Sequence, residues 1–216
     1  MEFNFATLWE RTADLIPNKT AIICGDEEKT WGEYENVSAK LATALIDAGL
    51  TTYSKAGLYL HNSNEYLEAQ FSIFKIGGTP INVNYRYKSE ELLYLLDNSD
   101  CEALFYQACY GDQINKIKDL LPKIKAWIEV ADGSDSVVEN CMHYSSLIEQ
   151  CSEMERWNRP DDIVYMLYTG GTTGMPKGVM LTHHNIGSNV QSIEEYLPFD
   201  IEANKSFFYR KNTWRC

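Results

Sequence analysis

Two hydrophobic periods alternate along this chain. Tyr34, Val37, Leu41, Leu45 and Ala48 recur at helical spacing, and Gly49 supplies a stop. Short apolar runs without that period predict strands: AGLYLH (56–61), TPINVN (79–84), EALFYQ (102–107), AWIEVAD (126–132) and IVYMLY (163–168). Helical segments stand between them. One covers 64–78 and is closed by two glycines, and one starts from Ser89 as N-cap and runs through Leu96. A third covers 112–122 and stops at Pro122, and a short one follows in HYSSLIEQC (143–151). Upstream, Asn4 caps a helix over 5–15, and TAIICG (20–25) with the later EKTW predicts a hairpin turning at Gly25-Asp26. Strand–helix alternation with long crossovers makes the fold class α/β, a mostly parallel sheet flanked by helices. The charged stretch 152–162, with Pro160, reads as a connector between subdomains at 1–160 and 161–216.

Composition narrows the partners more than the fold. Acidic residues outnumber basic ones, 31 to 19, for a net charge of −12 over 216 residues. Such a surface repels nucleic acid and anionic membrane, while a small anion can still be held at one local site. The N-terminus lacks the basic and apolar regions of a signal peptide, and no apolar stretch has the length of an integral membrane segment. Six cysteines are scattered, with no C-x-x-C pair and no cysteine–histidine cluster at zinc spacing. The expectation is a cytoplasmic protein with reduced thiols.

The strand IVYMLY runs directly into YTGGTTGMPKG (168–178). Glycines let backbone N–H groups turn toward one point, threonine hydroxyls add donors, and Lys177 adds a full charge. A triphosphate would use all of these together. A plain glycine turn between two strands explains the glycines but not three threonines and a lysine. The loop G-x-x-x-x-G-K-[ST] does not fit, because Gly178 follows Lys177 where Ser or Thr would be needed. A dinucleotide fingerprint fails on spacing.

MLYTGGTTGMPKGVMLTHHN resembles the phosphate-loop signature of the adenylate-forming superfamily, which includes acyl-CoA synthetases, luciferase-like enzymes and peptide-synthetase adenylation domains. TWGEYENVSAKLATALIDAGL and GGTPINVNYRYKSEELLYLLDNSDCEALF resemble upstream segments of the same family. NVNYRY and YTGG lean toward synthetases of fatty-acid or steroid-side-chain type. The resemblance implies that Thr169, Gly170, Gly171, Thr172, Thr173 and Gly174 wrap the β- and γ-phosphates of ATP. It implies that Lys177 is the catalytic cation, neutralising departing pyrophosphate, and that Thr169 helps hold Mg2+. The implied reaction joins a small-molecule carboxylic acid to ATP as an acyl-adenylate, then passes the acyl group to CoA.

Full-length members of that family are more than twice this length, so the resemblance implies the N-terminal part of such a ligase. Little or no adenylation is expected from this chain alone, and its open sheet edges would favour self-association. Where relatives continue into a strand ending in a histidine, residues 205–216 read KSFFYRKNTWRC. A second reading, from another class, is a non-catalytic α/β remnant or interaction scaffold with a vestigial loop. A third, a phosphotransferase, is disfavoured by the loop mismatch. His183 and His184 could be catalytic, but a helix cap by Thr182 or Asn185 accounts better for THHN. His61 and His143 have no partner visible in the sequence.

Overall fold

The computed structural model describes residues 4–135, 137–159, 163–169 and 176–196. Gly170–Met175 and the segment 205–216 lie outside the described residues.

The elements follow the chain as α1 (Phe5–Leu15), β1 (Thr20–Cys24), β2 (Glu27–Thr30), α2 (Trp31–Asp47), β3 (Lys55–Tyr59), α3 (Asn64–Lys75), β4 (Thr79–Asn82), α4 (Ser89–Asn98), β5 (Ala103–Gln107), α5 (Gly111–Ile117), β6 (Ala126–Val130), β7 (Met142–His143), α6 (Tyr144–Gln150), β8 (Ile163–Thr169), β9 (Lys177–Thr182) and α7 (His183–Tyr196). Local chemistry sets many of the boundaries. The Asn4 side chain accepts from the N–H groups of Ala6 and Thr7 at the start of α1. Thr30 and Glu33 form a reciprocal capping box that opens α2. Ser89 corrects the expectation, because it is the first residue of α4 rather than its cap. Its hydroxyl instead donates to Gln113 at 2.6 Å. The helix expected over 112–122 is α5 flanked by two single 3₁₀ turns.

The main sheet has the order β7-β6-β5-β3-β4-β8-β9, and every neighbouring pair is parallel except β8 with β9. Alternate residues of the inner strands serve two cores. Leu58, Phe105 and Ile128 face α2, α3 and α6, where Leu41, Leu45 and Ile73 meet them. Tyr59, Leu104, Tyr106 and Trp127 face α4 and α5, packed on Leu92, Leu95 and Ile114. Burial on both faces is what the continuous apolar runs require. A smaller aromatic cluster of Tyr34, Phe71 and Phe74, with Trp9 against it, seats α1 and the β1–β2 hairpin.

The segment after α6 is fastened by charge. Glu10 of α1 receives a two-nitrogen fork from Arg159 at 2.7 and 2.9 Å and the ammonium of Lys75 at 2.6 Å. Lys75 also meets Glu35 at 2.8 Å, and the side chains of Lys75 and Arg159 are fully buried. Trp157 donates to the Lys75 carbonyl at 3.1 Å and lies over Gly77, whose φ of +71° only glycine takes without strain. These contacts lay 154–159 across the helix layer, from which the chain continues into β8.

Candidate phosphate-binding site

In a parallel α/β sheet, ligands sit outside the carboxyl ends of the strands, where the connections diverge in opposite directions. Here β3 leads to β4 on one side, and the chain then returns to place β5 on the other. β8 runs parallel to β4, pairing Ile81 with Met166 and Asn82 with Leu167, so its carboxyl end at Thr169 shares that rim. The glycine loop therefore leaves the sheet at the edge where such folds bind ligands.

β9 returns antiparallel from the loop, in continuous register from Thr169↔Lys177 to Tyr165↔Leu181, with an irregularity between Tyr165 and Ile163. Directly opposed residues of an antiparallel pair present their side chains on one face, with Cβ atoms roughly 5 Å apart. The Thr169 hydroxyl and the Lys177 ammonium thus start from neighbouring points at the two ends of the loop, and both residues are exposed. Among the described residues no carboxylate forms an ion pair with Lys177. The loop does connect two paired strands, as the plain-turn alternative supposed, and yet its stems carry the donors that an anion would need.

Helix α4 braces both arms. The Tyr168 hydroxyl donates to Asn98 at 2.8 Å, and the Tyr94 hydroxyl donates to the carbonyl of Pro176 at 3.3 Å. Burial is the main cause holding the Tyr168 phenol above its ordinary range. β4 and β9 flank β8 on both sides, so the strand that leads into the loop is paired within this chain. Gly170, Gly171, Thr172, Thr173 and Gly174, expected to wrap phosphate, fall outside the described residues.

The two histidines after the loop differ in setting: His184 is exposed, and His183 is built into the fold. Thr182 and Asn185 cap α7 reciprocally, at 3.0 and 3.1 Å. His183 is buried against the start of α1, within 3.2 Å of the Asn4 amide and of the Phe5 N–H. His61, which showed no partner in the sequence, meets the Tyr110 hydroxyl at 2.9 Å and the Tyr85 ring. The α4 braces and the His183 contact were missed because each joins residues about 70 or more positions apart, and no local pattern encodes them.

The AMP-binding enzyme family matches residues 9–208. The chain belongs to that family. A medium/long-chain-fatty-acid–CoA/3-oxocholest-4-en-26-oate–CoA ligase of Mycobacterium tuberculosis is 40% identical over 186 residues, covering 85% of this chain and 34% of the relative. A 3-oxocholest-4-en-26-oate–CoA ligase of Rhodococcus rhodochrous is 37% identical over 189 residues, covering 86% of this chain and 34% of that relative. Among solved structures, an anthranilate CoA ligase in complex with anthranoyl-AMP superposes with a TM-score of 0.80 at 25% identity, over 88% of this chain and 36% of that one. This member of the AMP-binding family spans about a third of the length of the curated relatives it matches. No helix among its described residues is long and apolar enough to cross a membrane.

Proposed function

We propose that this chain carries the polyphosphate-binding part of an AMP-forming acyl-CoA ligase acting on fatty-acid-like carboxylates. The observation that carries the reading is the hairpin. It pairs Thr169 with Lys177 at the carboxyl rim of the parallel sheet, with GGTTGMP (170–176) between them in sequence. The relatives' names, fatty-acid and steroid-side-chain CoA ligases, support the substrate class.

In this reading a carboxylate oxygen attacks the α-phosphorus of ATP, and the bond to the β-phosphate oxygen breaks. Acyl-adenylate and pyrophosphate result. The CoA thiol then attacks the acyl carbon and AMP leaves with the bonding pair, while the thiol proton passes to solvent. Backbone amides of Gly170–Gly174 and the hydroxyls of Thr172 and Thr173 hold the β- and γ-phosphates, and Lys177 offsets the charge gathering on pyrophosphate. Mg2+ supplies further charge neutralisation at the phosphate oxygens, with the exposed Thr169 hydroxyl as this chain's donor toward it. The Thr169 hydroxyl fits that task as an exposed neutral oxygen, 3.5 Å from the Lys177 carbonyl, while the Lys177 ammonium serves the phosphates and not the ion.

A thermal melt with and without ATP tests the reading. ATP raises the melting temperature, and Lys177→Ala removes the rise. A melt indifferent to both ATP and the substitution overturns it and leaves the non-catalytic scaffold. Carboxylate-dependent pyrophosphate exchange by the chain alone is expected to be slight.

A further inference from the structure

At the far edge of the sheet from the glycine loop, three side chains with metal-ligating atoms converge. Glu129 lies on β6, His143 on β7, and Cys141 just before β7. Their carboxylate oxygen, ring nitrogen and thiol sulfur all lie within 4.8 Å of one another. The ladder explains the convergence. Glu129 and His143 are direct partners in the parallel register, and Cys141, two residues before His143, projects from the same face of the strand. Sequence spacing hides the group, because cysteine and histidine stand only two apart and the carboxylate comes from another strand.

We propose that Glu129, Cys141 and His143 form a binding site for a zinc-class divalent cation, with a solvent-facing fourth position. In a tetrahedral site with metal–nitrogen and metal–oxygen bonds near 2.0 Å and metal–sulfur near 2.3 Å, ligand atoms stand roughly 3.3–3.6 Å apart. His143 Nδ1 and Glu129 Oε1 are 3.4 Å apart, already at that separation. From the 4.8 Å outer limit on the three atoms, the sulfur needs to close by at most about 1.2 Å, within reach of a small side-chain rotation.

The surroundings hold the ligands in place. The Tyr106 hydroxyl donates to Glu129 Oε2 at 3.3 Å, which leaves Oε1 for the ion, an outer-shell contact of the kind that orients metal-bound carboxylates. Asn115 donates to the Val137 carbonyl at 2.9 Å and Lys118 to the Glu139 carbonyl, anchoring the loop that delivers Cys141. Glu129 is buried, Cys141 half-buried and His143 exposed, so the cation enters from the histidine side. On binding, Cys141 gives its proton to solvent, and the ion staples the two-residue edge strand β7 to β6. Lys118 is the cation on the neighbouring turn. Its contact with the Glu139 carbonyl keeps it on the loop backbone rather than on the ligands.

Cobalt titration of the reduced, chelator-treated full chain tests the site. One equivalent is expected to saturate a thiolate-to-cobalt charge-transfer absorption, and Zn2+ is expected to displace it. Cys141→Ser abolishes the absorption, His143→Ala and Glu129→Gln weaken cobalt binding at least about tenfold, and Cys24→Ser changes nothing. Near-ultraviolet circular dichroism without metal reports whether each variant folds. His143→Ala alters an exposed side chain, so it decides the matter even where Glu129→Gln fails to fold. Absence of the absorption, or its persistence in Cys141→Ser, overturns the proposal and leaves a plain Glu129–His143 contact.

Discussion

Replacing Glu10 by Gln keeps the side-chain volume and removes one charge from the most buried ionic cluster described. In the wild-type chain, Glu10 neutralises two cations with no side-chain exposure, taking the fork of Arg159 through both oxygens and Lys75 through Oε1. Glu35 meets Lys75 at 2.8 Å and Arg156 at 3.3 Å, both through Oε1; its Oε2 is buried without a partner among the described residues, but it forms no ion pair with Arg159. The variant would therefore hold a buried guanidinium against an amide. Removing one partner of a buried pair costs about 3–5 kcal/mol, mostly the desolvation of the charge left behind. Domains of this size hold about 5–15 kcal/mol in all and shift by roughly 2–4 °C per kcal/mol. The melting temperature should fall by roughly 6–20 °C, with a matching drop in the urea midpoint and an unchanged slope. Lys75→Met should cost a similar amount, and the double variant less than the sum by about 0.5–3 kcal/mol. A fall under about 2 °C in both single variants would refute the reasoning, showing that water or rearrangement satisfies these charges.

Three further outcomes follow from the same geometry. Tyr168→Phe, which frees Asn98 from the loop's arriving arm, should weaken ATP binding by roughly two- to tenfold, the worth of one net hydrogen bond, and an unchanged affinity in a fluorescence titration would show that the brace is idle. Burial pushes the Cys101 thiol up to about 12 and raises the phenols of Tyr34, Tyr59, Tyr66, Tyr106 and Tyr144. The folded chain then keeps protons that the unfolded chain loses, so stability is full below about pH 8.5 and falls as pH rises from there toward 12; urea midpoints that stay level or rise over that range would contradict it. Among the described residues β9 pairs on one side only and exposes Val179 and Met180, so sedimentation velocity should show concentration-dependent association that Met180→Lys reduces, whereas a monomer at all concentrations would dismiss it.

The parts of this fold that the sequence discloses are those written in neighbouring residues. AGLYLH and EALFYQ announce buried strands because both faces of β3 and β5 need apolar side chains. Asn4 announces a helix start because its own carboxamide makes the cap. Ser89 misled because a serine one position inside a helix looks the same in sequence as one at its cap, and Gln113, 24 residues on, claimed its hydroxyl. Strand order was not legible, since a crossover helix fits on either side of its strand, and neither was the two-residue β7. At the proposed site, the types and spacing of the glycines, threonines and Lys177 are what suggest a phosphate loop. The antiparallel partner that sets Lys177 across from Thr169, and the α4 tyrosine that braces Pro176, depend on contacts that only the folded sheet creates.

Calorimetric titration with ATP, inorganic tripolyphosphate and AMP asks most directly whether the loop between Thr169 and Lys177 is a polyphosphate cradle. ATP and tripolyphosphate should bind and compete with each other, AMP should bind far more weakly, and Lys177→Ala should weaken the first two by about 10- to 100-fold, the worth of a charge-assisted contact. AMP binding as tightly as ATP, or an affinity for tripolyphosphate untouched by Lys177→Ala, would contradict it.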